Sequence, residues 1–332
     1  MTTWMPVLRQ KPFYPGQFGV PGSDVSLGIR SAPRGIVLYV DSGHPNAVIS
    51  NDGTDPEAPL PTIDAAINSP LLVTNSVIII QPGDYAESVQ TPNYATGPSY
   101  ITVMGQPGSE WTPYWSSAAA NTPCLIVRAP GWRFFNIRFG SPTGAPAVVC
   151  ACTQAPYTAN DIAIRTEFHG CHFYGATTGL GGIQLHGAPY ECVIADCVFG
   201  FHHNGGGTAY GIGVQNTGYA DAYRCRIERC VFYENDKHIA RPGGAGSFNV
   251  SLIKDCQFLT DGAFPATVVI DLRNATQGHN MVTGCALMGD YSNAGGYYDT
   301  AAGAGFWGGN VSNDLPEAEV GDNGLTIAPP AA

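Results

Sequence analysis

Apolar and polar positions alternate in short bursts along most of the chain, and six bursts share one template. It reads apolar, any residue, a turn former, a small apolar residue, any residue, then Phe or Leu. The instances are Phe134-Phe135-Asn136-Ile137-Arg138-Phe139, Phe168-His169-Gly170-Cys171-His172-Phe173 and Ile194-Ala195-Asp196-Cys197-Val198-Phe199. Three more are Ile227-Glu228-Arg229-Cys230-Val231-Phe232, Ile253-Lys254-Asp255-Cys256-Gln257-Phe258 and Val282-Thr283-Gly284-Cys285-Ala286-Leu287. The fourth position recurs after 34, 26, 33, 26 and 29 residues. A period in that range predicts a stacked solenoid. Two-residue alternation on either side of the third position predicts strands rather than helices. The third position holds Asn, Gly, Asp, Arg, Asp and Gly, which predicts a left-handed bend with Arg229 as the exception.

In-register stacking then predicts a core ladder. One column is Ile137, Cys171, Cys197, Cys230, Cys256 and Cys285, and another is Phe139, Phe173, Phe199, Phe232 and Phe258. A further column lies five residues earlier: Trp132, Thr166, Cys192, Cys225, Ser251 and Asn280. Third strands are predicted at Leu125-Ile126-Val127, Ile183-Gln184-Leu185, Ile212-Gly213-Val214 and Val268-Val269-Ile270. Three parallel strands per coil, from about residue 36 to 290, resemble the right-handed parallel β-helix of the pectin-lyase-like superfamily. That resemblance implies an all-β fold but leaves function open, because the superfamily holds lyases, hydrolases and non-enzymatic virion proteins.

The ends depart from the repeat. Residues 1–35 are rich in Pro and aromatics, with Trp4, Phe13, Tyr14 and Phe18, and predict an extended arm that either docks on another surface or folds back along its own solenoid. The Asn51-Asp52-Gly53 turn, the helix signal at Thr62-Ile63-Asp64-Ala65-Ala66-Ile67 and Gly83-Asp84-Tyr85-Ala86-Glu87 resemble the superfamily's opening coil. Thr62 is the expected N-cap, with Ile63, Ala66 and Ile67 on one face, and the helix is expected to plug the N-terminal end. Asp52 and Asp55 raise a Ca²⁺ reading that turn chemistry also explains. The stretch 111–121 is expected to be an outward loop. Residues 291–332 are expected to form a C-terminal cap and an acidic tail.

Composition narrows the function. The net charge is −11, with lysine only at 11, 237 and 254, which argues against nucleic acid as a partner. No apolar run approaches the roughly 18 residues of a membrane span, and the N-terminus does not read as a Sec signal. Stacked cysteines sit too far apart for disulfides, so the ten are expected to be buried free thiols made in a reducing cytoplasm.

Candidate chemistry is sparse. Asp196 and Asp255 share the bend column, two coils apart, where Asp needs no catalytic role. His169, His172, His186, His202 and His203 could suggest a metal, although solvated loop histidines serve equally well. No catalytic residue, metal site or cofactor is assigned. The polar loop and edge carrying His202, His203, Tyr210 and Tyr219 is the candidate glycan-facing surface. The expected function is a non-enzymatic phage virion protein, a trimeric capsid decoration protein. Its arm would contact a major capsid or tail protein. The alternative is a tailspike-like glycan depolymerase or a non-cleaving glycan-binding receptor-binding protein. No membrane partner is expected.

Overall fold

The computed structural model describes residues 35–106, 113–153, 155–175, 178–204, 207–216, 222–244, 248–260, 268–270, 279–289 and 306–312. They form a right-handed parallel β-helix with three sheets. Sheet A has ten strands, from Val37–Val40 to Phe306–Gly308. Sheet B has nine, from Asp84–Ala86 to Val311–Ser312. Sheet C has seven, from Val89–Gln90 to Val268–Ile270. Every coil crosses sheet A, bends, crosses sheet B, and turns again towards sheet C. Two sheet C strands fall outside the sequence prediction, Pro146–Ala151 and Lys237–Gly244. Both carry a proline, which hides strand periodicity.

The register places like on like. Phe139, Phe173, Phe199, Phe232 and Phe258 are fully buried and stack with centroids 4.7–5.2 Å apart. Ile137 and the five cysteines of the neighbouring column are also buried. All ten cysteines are unpaired and buried.

The bend column lies in the left-handed region throughout: Asn136, Gly170, Asp196, Arg229, Asp255 and Gly284 have φ between 52° and 66°. A second left-handed column, absent from the sequence reading, precedes sheet A: Gly131, Arg165, Glu191, Arg224 and Val250, φ 49° to 71°. After most of these turns comes a buried donor. Cys197, Cys230 and Cys256 donate to the carbonyls of Ala195, Glu228 and Lys254, at 3.2, 3.4 and 3.3 Å. At the other turn Thr166 donates to Ala163, and Ser251 to Asn249. Asn280 and Asn310 donate to Phe248 and Val282, each one coil back. The cysteines are therefore more than small apolar fillers. A left-handed turn leaves inward carbonyls, and burial requires a partner for them.

The N-terminal end is closed. Helix α1, Ile63–Ile67, buries Ile63, Ala66 and Ile67, and Thr62 Oγ1 accepts from Ala65 N at 3.2 Å. The Glu87 carboxylate accepts from Ile63 N and Asp64 N, 2.9 and 2.8 Å. Asp52 and Asp55 accept from the backbone of Thr54 and Glu57 two residues on, as turn residues do. Two sequence expectations need correction. Tyr114–Ser116 is a sheet B strand with Trp115 fully buried, so 111–121 is not simply an outward loop. The ladder also continues past residue 290, through Phe306–Gly308 and Val311–Ser312. The arm residues Trp4, Phe13, Tyr14 and Phe18 lie outside the described residues.

Candidate functional site

The predicted glycan-facing residues do not form a surface. His202 is fully buried: its ring Nδ1 lies 2.7 Å from Asn235 Oδ1, and Asn235 also reaches His238. Tyr210 is buried because its ring lies across Gly181 and Gly213, where a Cβ would meet it at 2.5 and 2.6 Å. His203 is half-buried against Asp236 at 3.3 Å. Tyr219 lies outside the described residues. The outer face of sheet C is covered in part by the loop around Tyr157. That side chain packs on Ile126, Val149 and Ala151, and Ala155 O lies 3.0 Å from His186 Nε2.

Exposed chemistry gathers on the other two sheets. On sheet A, Glu167 lies 3.0 Å from His169 and 3.6 Å from Arg133, and Arg226 makes two 3.0 Å bonds to Glu228. Arg229 binds both oxygens of Asp196 at 2.7 and 2.8 Å. Burial pushes Glu167 upward, but His169 and Arg133 outweigh it and the net shift is down. Arg229 and Arg226 likewise hold Asp196 and Glu228 below the usual carboxylate range. These carboxylates stay ionised, which suits ion pairing and not proton donation. Burial pushes Glu87 upward, yet its oxygens are engaged at the end of α1. Among the described residues, no group of three His, Cys, Asp or Glu side chains could hold a metal ion.

Sheet B carries a different surface. Its strands bury the middle residue and point the first and third outward. The outward aromatics are Tyr114, Tyr174 and Tyr233, with Phe201 in the following turn. The Arg138 guanidinium lies 5.1 Å from the Tyr114 ring centre and 4.9 Å from that of Tyr174. Phe201 lies 5.3 Å from Tyr174 and 5.0 Å from Tyr233. A Cβ on Gly140 would fall 2.3 Å from the Tyr114 hydroxyl, and one on Gly200 2.2 Å from the Tyr233 ring. His172 stands edge-on to Tyr174, and its Nε2 has no hydrogen-bond partner among the described residues. Burial and Arg138 push the His172 pKa down, so the ring is neutral near pH 7. The result is a half-exposed strip of aromatic rings and one guanidinium along the axis. Sequence reading missed it because stacking, not any local motif, brings these residues together. The available signal was the outward position one residue after each Phe of the column, alternating Gly140, Tyr174, Gly200 and Tyr233.

No protein-family model matches the chain. A solved alginate lyase from Paenibacillus superposes over 76% of this chain and 92% of its own, with TM-score 0.51 and 12% identity. That likeness shows the right-handed parallel β-helix fold. A pectin methylesterase from Aspergillus niger aligns over 90% of this chain and 92% of its own, with TM-score 0.47 and 16% identity. In sequence, "Probable pectinesterase 49" of Arabidopsis thaliana is 35% identical over 124 residues, 34% of this chain and 32% of that protein. The match thus spans about a third of the relative's length.

Proposed function

We propose that this β-helix binds polysaccharide on the outer face of sheet B without cleaving it. The observation that carries the reading is the strip of Tyr114, Arg138, Tyr174, Phe201 and Tyr233. Half-exposed aromatic rings offer apolar faces to sugar C–H groups, while hydroxyl and guanidinium groups at their edges bond sugar hydroxyls. The local likeness to a probable pectinesterase supports a glycan ligand. The Arg-paired carboxylates of sheet A speak against hydrolysis there, which needs a carboxyl able to give up a proton at working pH. Retardation in gels containing bacterial or plant polysaccharides, with Tyr174→Ala beside the wild type, tests the proposal. At least tenfold weaker retention of the variant is expected. Release of new reducing ends by the wild type would instead establish a depolymerase.

A second reading, a trimeric phage capsid decoration protein, draws on the ten unpaired, buried thiols. Such a chain suits folding and assembly in a reducing cytoplasm. Light scattering after size exclusion tests it: a stable trimer supports it, and a monomer sinks the trimeric virion assignment while leaving glycan binding intact.

A further inference from the structure

Resting on the glycan-binding reading, we infer that the strip takes a straight β-1,4-linked glycan of all-equatorial pyranoses. The glycan would lie parallel to the β-helix axis, one sugar per coil. Gly140 and Gly200 set that register.

The placement of the rings carries this. Tyr114 belongs to the strand Tyr114–Ser116, but its hydroxyl end lies against Gly140 in the next coil. Tyr233 belongs to Val231–Tyr233, but the far end of its ring lies against Gly200 in the preceding coil. Tyr174 sits in the coil between Gly140 and Gly200. One phenol therefore serves each of three successive levels, although the residues come from coils further apart. Adjacent levels are about 4.8 Å apart. Phe201 packs between Tyr174 and Tyr233, 5.3 and 5.0 Å from them between ring centres.

A repeat of that length selects for sugar geometry. A diequatorial β-1,4 linkage gives a nearly straight ribbon that advances by about one inter-strand spacing, roughly 5 Å, per sugar. Its equatorial hydroxyls point sideways and leave C–H faces for aromatic contact. An α-1,4-glucan, axial at C1 and equatorial at C4, curves and would leave a straight strip after one or two units. The glycines are then functional. An alanine at either would drive its tyrosine off the level it occupies.

Calorimetry with gluco-oligosaccharides of one to six β-1,4-linked units tests this, with α-1,4-linked maltohexaose and a polysaccharide retained in the gel assay as further arms. Affinity should rise at least tenfold from one unit to three, then level off beyond four. Gly200→Ala should weaken the trisaccharide at least fivefold but leave the monosaccharide unchanged. Should Gly200→Ala fail to fold, Tyr233→Ala reports on the same level and should act alike. Gel retention with no preference for the β-1,4 series, or affinity independent of length, would overturn the inference and spare the broader reading. Failure to bind any glycan would end both.

Discussion

The two left-handed turn columns that flank sheet A meet one backbone problem with different residues. At the bend, five of six positions are Asn, Gly or Asp, residues that reach positive φ at little cost. The exception, Arg229, is held by both oxygens of Asp196 in the preceding coil. Both side chains are about half exposed, so the pair is worth at most about 1 kcal/mol and offsets only part of the strain. The opposite column uses Arg165, Glu191, Arg224 and Val250 at the same backbone geometry. Glu191 ties two of these together, 2.7 Å from Arg165 and 3.7 Å from Arg224. Val250, β-branched and 37% exposed, is a strained placement with φ 49°. The difference teaches that the turn tolerates poor residues, since buried donors follow both columns and serve the turn whatever its own side chain. Thr166, Cys192, Cys225 and Ser251 occupy that next position, and their bonds do not depend on the turn residue's side chain.

The sharpest way to break this comparison is to remove what both columns share. Phe199 stacks between Phe173 and Phe232, and Phe199→Ala should cost about 3–5 kcal/mol in chemical unfolding. A loss under about 1 kcal/mol would mean that the turns, not the ladder, hold the coils.

A third turn gives the next effect. His202 and His238 are fully buried around Asn235, and the Nε2 of each has no hydrogen-bond partner among the described residues. Burial lowers their pKa values to about 4 and about 3. His203 acts on both rings, and His172 and Asp236 also act on His202. The unfolded chain therefore takes up protons first. Stability is full above about pH 6.5 and falls by a few kcal/mol as pH drops towards 4. Thermal melts of His202→Asn and His238→Asn should flatten that slope. An unchanged slope would assign the acid loss to other groups.

Smaller effects compare the two columns directly. Gly284→Val places a Cβ 2.4 Å from Asp255 Oδ1 at φ +66°, and should destabilise by about 2 kcal/mol. Val250→Gly relieves a similar strain but adds chain entropy in the unfolded state, for a net gain of about 0.5–1 kcal/mol. If Val250→Gly destabilises instead, the exposed valine makes a contact that the turn geometry does not reveal.

The ladder was legible because its signals are local. A Phe two residues after a Cys, and an Asn, Gly or Asp just before it, repeat at a readable period. The second turn column was not legible, because Arg, Glu and Val carry no signature of positive φ. The strand Tyr114–Ser116 was hidden between polar and small residues. His202 and Tyr210 read as exposed loop residues, since loops are mostly at the surface. Their burial follows from Asn235, one coil away, and from the glycines of neighbouring strands that let the Tyr210 ring lie down.

The sequence by itself determined the coil repeat, the inward Phe and Cys columns, the bend and the capping helix. Each of these depends on residues close along the chain and on a two-residue side-chain period. Only the tertiary structure decided which outward side chains become neighbours. Coils of 26 to 34 residues bring Tyr114, Arg138, Tyr174 and Tyr233 together across some 120 positions, and loop lengths between strands set that register. The strip on sheet B is thus a property of stacking, whereas the core beneath it is a property of pattern.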